Sequence, residues 1–153
     1  MAGIGDFNGD GRSDILWRGD DSTLGMWQMN GTQIQSAANF GTVGTDWHVV
    51  GIGDFNHDNR SDILWRSDSG AVGIWELNGT QILAAAGIGS AGTDRHIVGT
   101  GDLNHDGMSD ILWRNDNGTI GVWEMNGTQI LTGASIGAVG TDWQTVTQHY
   151  DFV

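Results

Sequence analysis

The sequence predicts an all-β fold made of repeated units. Three copies of one 48-residue unit occupy residues 3–50, 51–98 and 99–146, without insertion or deletion. A fixed period of this length is typical of propellers and solenoids, in which one repeat cannot bury its apolar surface alone. Glycine, asparagine and aspartate interrupt the chain too often for helices. We therefore predict a single repeat domain of three four-stranded antiparallel β-propeller blades.

The four strands of a blade can be followed through the second copy. Residues 48–55 form the innermost strand, residues 62–66 follow an acidic loop, and residues 72–77 and 81–85 complete the blade. The dipeptide Asn78-Gly79 predicts a hairpin between the last two strands, because both residues accept the positive φ of a type I′ turn. Four strands in one copy match a propeller blade.

Six tryptophans are predicted to pack in the core. They recur in the second and third strands, among apolar neighbours that suit a sheet covered on both faces. These six are Trp17, Trp27, Trp65, Trp75, Trp113 and Trp123.

A variable position at the start of the innermost strand predicts a ligand site at the blade rim. It follows a Gly-Thr-Asp turn and is tryptophan in two copies but arginine in the third. A rigid core position rarely accepts that exchange. The candidate binding pairs are Asp46 with Trp47, Asp94 with Arg95, and Asp142 with Trp143.

The charge of the chain argues against two classes of partner. Six arginines, no lysine and 19 acidic residues give a net charge of −13, which repels nucleic acid and anionic lipid. Nine of the acids lie in the three repeated loops. No cysteine is present, so neither a disulfide framework nor a thiol nucleophile is expected. The sequence contains no apolar stretch of membrane-spanning length and starts with no recognisable signal peptide.

The repeated acidic loops are predicted to bind calcium. In the first loop, side-chain oxygens stand at positions 1, 3, 5 and 9, and the backbone carbonyl of position 7 completes a set of hard ligands. The five residues are Asp6, Asn8, Asp10, Arg12 and Asp14. An EF-hand is excluded because its twelfth position must be glutamate, whereas tryptophan stands there in all three copies.

At these residues the chain resembles the FG-GAP/VCBS-type repeats of integrin-like β-propellers. The segment Gly-Asp-Phe-Asn-x-Asp-x-x-Ser-Asp-Ile-Leu-Trp-Arg carries the resemblance, which covers nearly all of residues 3–146. It implies that the loop joins the first two strands of each blade and binds Ca²⁺, three ions per chain. The other implied ligands are Asp54, Asn56, Asp58, Arg60 and Asp62 in the second loop, and Asp102, Asn104, Asp106, Met108 and Asp110 in the third.

The chain departs from that family in two respects. The Phe-Gly and Gly-Ala-Pro elements that name the repeat are missing. The second loop has Asn59 where the first and third have Gly11 and Gly107. Asparagine tolerates the left-handed region best among non-glycine residues, so we expect the second site to bind calcium more weakly.

Three blades are fewer than the four to eight of a closed propeller. We expect a homodimer to close a ring of six blades, with a trimer of nine blades as the second choice and a fragment of a larger propeller as the third. Residues 143–153 read as an extra innermost strand and are predicted to close the ring against a neighbouring chain.

The sequence favours a non-enzymatic binding module. No nucleophile, histidine or carboxylate motif of catalytic spacing occurs, and the loop carboxylates are assigned to metal. Glycans are the preferred ligand class, with a lectin-like or adhesion role, and a surface protein is the other possible partner. The alternative is a purely structural or protein-docking propeller, natural or engineered. Calcium loops and the resemblance together predict a secreted or cell-surface protein.

Overall fold

The chain folds into three four-stranded antiparallel sheets that follow one another along the sequence. The computed structural model describes residues 1–144, and the greater part of the predicted closing strand at 143–153 lies outside this range. The twelve strands are β1 Gly3–Gly5, β2 Asp14–Arg18, β3 Thr23–Asn30, β4 Gln33–Thr42, β5 Trp47–Gly53, β6 Asp62–Ser67, β7 Ala71–Asn78, β8 Gln81–Ser90, β9 Arg95–Gly101, β10 Asp110–Asn115, β11 Thr119–Asn126 and β12 Gln129–Ala138.

Each sheet is an up-and-down meander. The first pairs its strands in the order β1-β2-β3-β4, the second β5-β6-β7-β8 and the third β9-β10-β11-β12. The four predicted strands of the second copy are confirmed, although the last one continues to Ser90. The repeat boundaries at 50/51 and 98/99 fall inside β5 and β9, so the second and third sheets start a few residues before their sequence copies do. Within residues 1–144 there is no helix, and hence none that could span a membrane.

The predicted type I′ hairpins are wrong by one residue. Asn78 pairs with Gln81 at the end of the ladder, so Gly79 and Thr80 form the two-residue turn. Gly79 has φ +59°, and Asn78 is not among the residues with positive φ. Glycine thus occupies the first central position, as a type II′ turn requires, because only glycine enters the left-handed region without cost.

Neighbouring sheets pack face to face through two apolar clusters. Between the first and second sheets lie Phe7, Leu16, Leu24, Met26, Val43, Ile63, Trp65 and Leu77. Between the second and third lie Phe55, Leu64, Val72, Ile74, Ala91, Ile111, Trp113, Trp123 and Met125. Because each sheet presents one apolar face to each neighbour, the three sheets are stacked as propeller blades are. They do not close into a ring within the described residues.

The core prediction holds for some of the six tryptophans and fails for one. Trp65, Trp113 and Trp123 are buried, with 2%, 5% and 8% of their surface exposed. Trp27 is 37% exposed, because it lies on the face of the first sheet against which no described blade packs. Burial therefore depends on whether a neighbouring blade is present.

Candidate functional site

The acidic loops occupy the same place in all three sheets, between the first and second strands. Each begins directly after the innermost strand, and its ninth residue is the first residue of the next strand. The five positions predicted to hold calcium in each copy therefore lie in one loop at the same place in each sheet.

Backbone N–H groups fix the side chain at the first position of each loop. In the first loop, Asp6 Oδ1 accepts hydrogen bonds from the N–H groups of Gly9 (2.8 Å) and Asp10 (3.1 Å), and Oδ2 accepts one from Gly11 (2.8 Å). Asp102 accepts the corresponding bonds in the third loop from His105, Asp106 and Gly107. Burial raises the pKa of Asp102, but these three N–H donors outweigh it and lower the pKa overall. The loop is held in shape by its own backbone.

The aspartate at the ninth position is buried in every loop. Asp14, Asp62 and Asp110 are each 0% exposed. One oxygen of Asp62 accepts from the Phe55 N–H (3.0 Å) and the other from the Leu77 N–H (2.9 Å). This carboxylate therefore ties the loop to the third strand, a structural role that the sequence analysis did not assign to it.

The buried carboxylate of the second loop lacks a compensating positive charge. Burial raises the pKa of Asp62 to about 7, against the lowering effect of the two N–H donors, and the nearby charges of Asp58 and Asp54 raise it further. Burial also raises the pKa of Asp14 in the first loop. A divalent cation among these oxygens would favour the ionised carboxylates.

Position 7 differs between the loops in a way that affects position 5. The Arg12 guanidinium lies 3.2 Å from Asp10 Oδ2, and the Arg60 guanidinium lies 3.1 Å from Asp58 Oδ2. The third loop has Met108 at this position, which cannot form an ion pair with Asp106. Only the backbone carbonyls of these residues were predicted as ligands. An arginine two residues after an aspartate was the signal in the sequence for an ion pair within the loop.

Two loop positions adopt the left-handed backbone conformation. Asn59 has φ +61°, which confirms the strained conformation expected for it, and Gly11 and Gly107 at the same position have φ +81° and +86°. Two residues earlier, His57 and His105 also have positive φ where the first loop has Gly9. The sequence analysis did not recognise this second position.

The donor set has the chemistry that calcium prefers, but the side chains do not yet converge on one point. Each loop offers carboxylates, one asparagine amide oxygen and a backbone carbonyl, all of them hard oxygen ligands. In residues 1–144 no three His, Cys, Asp or Glu side chains form a group that could hold a metal ion as they stand. In the present geometry their oxygens accept N–H bonds. Calcium binding therefore stays a prediction.

The predicted rim residues lie in three different environments. Trp47 lines a cleft of about 350 Å³ between the first and second sheets, together with Trp65 and Trp75. Arg95 instead places its guanidinium carbon 4.6 Å from the centroid of the Trp113 ring. Trp143 is 68% exposed. The equivalent positions thus form one aromatic cleft, one closed cation–π contact and one open surface.

The aspartates predicted to bind a ligand beside these three residues do not form a common site. Asp46 accepts a backbone hydrogen bond from Asp68 (2.8 Å), and Asp94 Oδ2 accepts one from the side-chain amide of Asn115 (2.9 Å). Asp142 is exposed. None of these acids lines the aromatic cleft.

Three arginines that the sequence analysis did not single out fasten the links between blades. Arg18 donates to the carbonyls of Val43 (3.1 Å), Gly44 (2.7 Å) and Trp47. Arg66 and Arg114 donate to the equivalent carbonyls of Gly92 (2.5 Å) and Gly140 (2.9 Å). The sequence did carry a signal for this role, because three of only six arginines recur near the end of the second strand of each blade.

Comparison with known families agrees with this architecture. The profile of the FG-GAP-like repeat matches residues 6–65 and 54–113. The chain belongs to the FG-GAP-like repeat family. The family's repeats suggest an integrin-like propeller-type module, structural or adhesive in role and not enzymatic. No curated protein matches the chain in sequence.

Proposed function

We propose that this FG-GAP-like chain is a non-enzymatic binding module whose blades are stabilised by one calcium ion each. The observation that carries the proposal is the repeated preorganisation of the loops by backbone N–H donors. In each loop the asparagine at position 3 accepts from the N–H of position 5, as Asn8 does from Asp10 at 3.0 Å. The same pattern recurs at Asn56 and Asn104.

Charge supports a divalent cation as the occupant. Each loop concentrates three carboxylates within nine residues, and in the second loop burial leaves one of them with a raised pKa beside two like charges. When bound, Ca²⁺ would supply the positive charge that these groups lack. The residues that would hold it are the five named in each loop, with the buried aspartate also retaining its N–H bonds.

Isothermal titration calorimetry tests this part of the proposal. Three sites per chain are expected for the unaltered protein, and Asp106→Ala should leave two, because it removes the charged ligand at position 5 of one loop. The matched control is Asp116→Ala, which removes an exposed carboxylate outside the loops and should leave three sites. No heat of calcium binding at millimolar concentration would refute the proposal.

For the ligand, the aromatic cleft between the first two blades favours a carbohydrate. Three indole rings meet in a pocket of about 350 Å³, which is large enough for a sugar ring, and Thr42 and Gly44 add polar groups at its edge. Pockets of this kind combine apolar walls with a few polar groups that orient the ligand. At the next junction Arg95 covers Trp113, so the equivalent position there does not form such a cleft.

A glycan array separates this role from a purely structural one. Binding should require calcium and should be lost in Trp47→Ala, whereas Leu131→Ala, which alters an exposed apolar residue outside the cleft, should bind normally. Absence of binding to any glycan would favour the protein-docking alternative. That alternative has its own support in Leu83 and Leu131, which are 48% and 58% exposed on the outermost strands.

A secreted or cell-surface location goes with the calcium proposal. Extracellular calcium modules bind with dissociation constants of about 10⁻⁴–10⁻³ M, since calcium there is abundant. A dissociation constant in that range for the loops would support this location, and nanomolar binding would contradict it.

A further inference from the structure

The two junctions between blades in this chain use the same pair of faces. We call the face of a blade that packs on the following blade its leading face, and the opposite one its trailing face. At the first junction the leading face consists of Phe7, Leu16, Leu24 and Met26, and at the second of Phe55, Leu64, Val72 and Ile74. The trailing faces are Ile63, Trp65, Trp75 and Leu77, and then Ile111, Trp113, Trp123 and Met125.

Two backbone hydrogen bonds repeat at both junctions. The carbonyls of Asp6 and Phe7 accept from the N–H groups of Ser61 and Gly79, each at 2.7 Å. One blade later, the carbonyls of Asp54 and Phe55 accept from Ser109 (2.6 Å) and Gly127 (2.8 Å). The residues that follow the innermost strand of one blade therefore dock on the loop end and the hairpin turn of the next.

Two faces pack against no described blade, namely the leading face of the third blade and the trailing face of the first blade. On the third blade, the carbonyls of Asp102 and Leu103 make no corresponding bond among the described residues. On the first blade, the same holds for the N–H groups of Ser13 and Gly31. If the two free faces met, these two carbonyls and two N–H groups could form the same pair of hydrogen bonds.

On each free face, an apolar side chain is exposed whose equivalent inside the chain is buried. Leu103 is 57% exposed, whereas Phe7 and Phe55 at the equivalent position are 0% exposed. Trp27 on the trailing face of the first blade is 37% exposed, whereas Trp123 at its equivalent is 8% exposed. Both side chains would become buried if the two free faces met.

We propose that a second copy of this chain docks head to tail on the free faces, so that two chains form one ring of six blades. The leading face of each third blade meets the trailing face of the partner's first blade, and the contact occurs twice. Continuity with the two junctions inside the chain identifies the occupant, because the free faces carry the same apolar positions and the same donors and acceptors as those junctions. Six blades also lie within the range of closed propellers.

The junction should be anchored by Leu103 and Trp27. Residues that are buried at the centre of an interface carry most of the binding energy. Each substitution acts at both contacts of the ring, so its effect on dimer dissociation counts twice. Loss of either anchor should raise the dissociation constant roughly a hundredfold or more.

Light scattering after size exclusion in calcium tests the proposal. The unaltered chain should have twice the 16.4 kDa mass of one chain. Leu103→Gln and Trp27→Gln should each shift the mass toward the monomer, and Leu103→Phe, which restores the residue of the other two blades, should keep the dimer. The matched control is Leu131→Gln, which alters an equally exposed leucine on an outermost strand and should remain dimeric.

The two faces must also complement each other. An equimolar mixture of Leu103→Gln and Trp27→Gln contains one unaltered pair of faces and should recover part of the dimer that neither variant forms alone. Circular dichroism of each variant should match the unaltered chain, because both side chains are exposed in a single chain. A monomeric mass for the unaltered chain, a mass of three chains, or dissociation by only one of the two substitutions would overturn the proposal.

Discussion

A glycine in the third blade tests how its tryptophan is placed. Gly121 lies under the Trp113 ring, and a Cβ atom there would fall 2.6 Å from Cη2 and closer still to two other ring atoms. Non-bonded carbons prefer separations of about 3.5–4.0 Å, so Gly121→Ala would push the ring by about 1.5 Å or more. The ring is 5% exposed and covered by Arg95, so it has little room to move.

The expected cost follows from two opposing effects. Overpacking of this kind costs about 1–3 kcal/mol, while alanine recovers about 0.5–1 kcal/mol of the conformational penalty of glycine in a strand. Gly121→Ala should therefore lower the free energy of unfolding by about 1–2 kcal/mol, which corresponds to roughly 2–8 °C in melting temperature.

The equivalent glycine of the first blade provides the control. Gly25 has Asn39 Oδ1 as the nearest atom to a Cβ, at 3.0 Å, and Trp17 contributes only its own Cβ at 4.0 Å. Asn39 is exposed and can rotate away, so Gly25→Ala should be neutral or slightly stabilising. Urea unfolding of both variants gives the comparison. If the free energies of unfolding of the two variants agree within about 0.5 kcal/mol, Trp113 does not lie over Gly121. The packing described for the junction between the second and third blades would then be wrong.

Three further outcomes are expected. Asn59→Gly should stabilise the protein or its second calcium site by no more than about 1 kcal/mol, because it relieves a left-handed residue, and a loss of affinity in calorimetric titration would contradict the backbone argument. Arg12→Met should raise calcium affinity at the first loop, because it frees the Asp10 carboxylate from its ion pair. Arg114→Met, outside the loops, is the control. Unchanged affinity in Arg12→Met would mean that the ion pair does not compete with calcium for Asp10. Arg18→Met should lower the free energy of unfolding more than Arg66→Met does, by about 1 kcal/mol or more in chemical denaturation. The reason is that Arg18 donates to three backbone carbonyls and Arg66 to one. Equal losses would argue against a role of these arginines in holding the links between blades.

Much of the architecture could be predicted because it is encoded locally. The period of 48 residues and the turn residues specify four strands per copy, and they are found almost where the pattern places them. The strained conformation of Asn59 was also predictable, because the comparison with glycine at the equivalent positions reveals a backbone requirement. Repetition supplied the comparison that a single copy could not.

Other features depend on contacts between blades and are not visible in a repeat taken alone. Trp27 and Trp123 occupy the same sequence position, yet their exposure differs because only one has a neighbouring blade. The hairpin was misassigned by one residue because Asn78 can serve either as a turn residue or as the last partner in a ladder, and pairing with Gln81 decides between them.

The candidate site was only partly predictable for a related reason. The spacing of oxygen side chains marks the loop, but it cannot show that Asp62 also binds two backbone N–H groups in the core. Nor does it show that Arg95 closes over Trp113 while Trp47 leaves a cleft open. Both features arise from side chains that meet across strands or blades.

Removal of calcium tests the central proposal most directly. Ligand that binds only the native state adds about 2.7 kcal/mol per site at a hundredfold excess over the dissociation constant, or about 8 kcal/mol for three sites. We therefore expect excess chelator to lower the melting temperature by roughly 20 °C, to shift tryptophan emission to the red, and to be reversed by added Ca²⁺. An unchanged melting temperature and an unchanged emission spectrum in chelator would show that the loops are turns held by their own hydrogen bonds and not calcium sites.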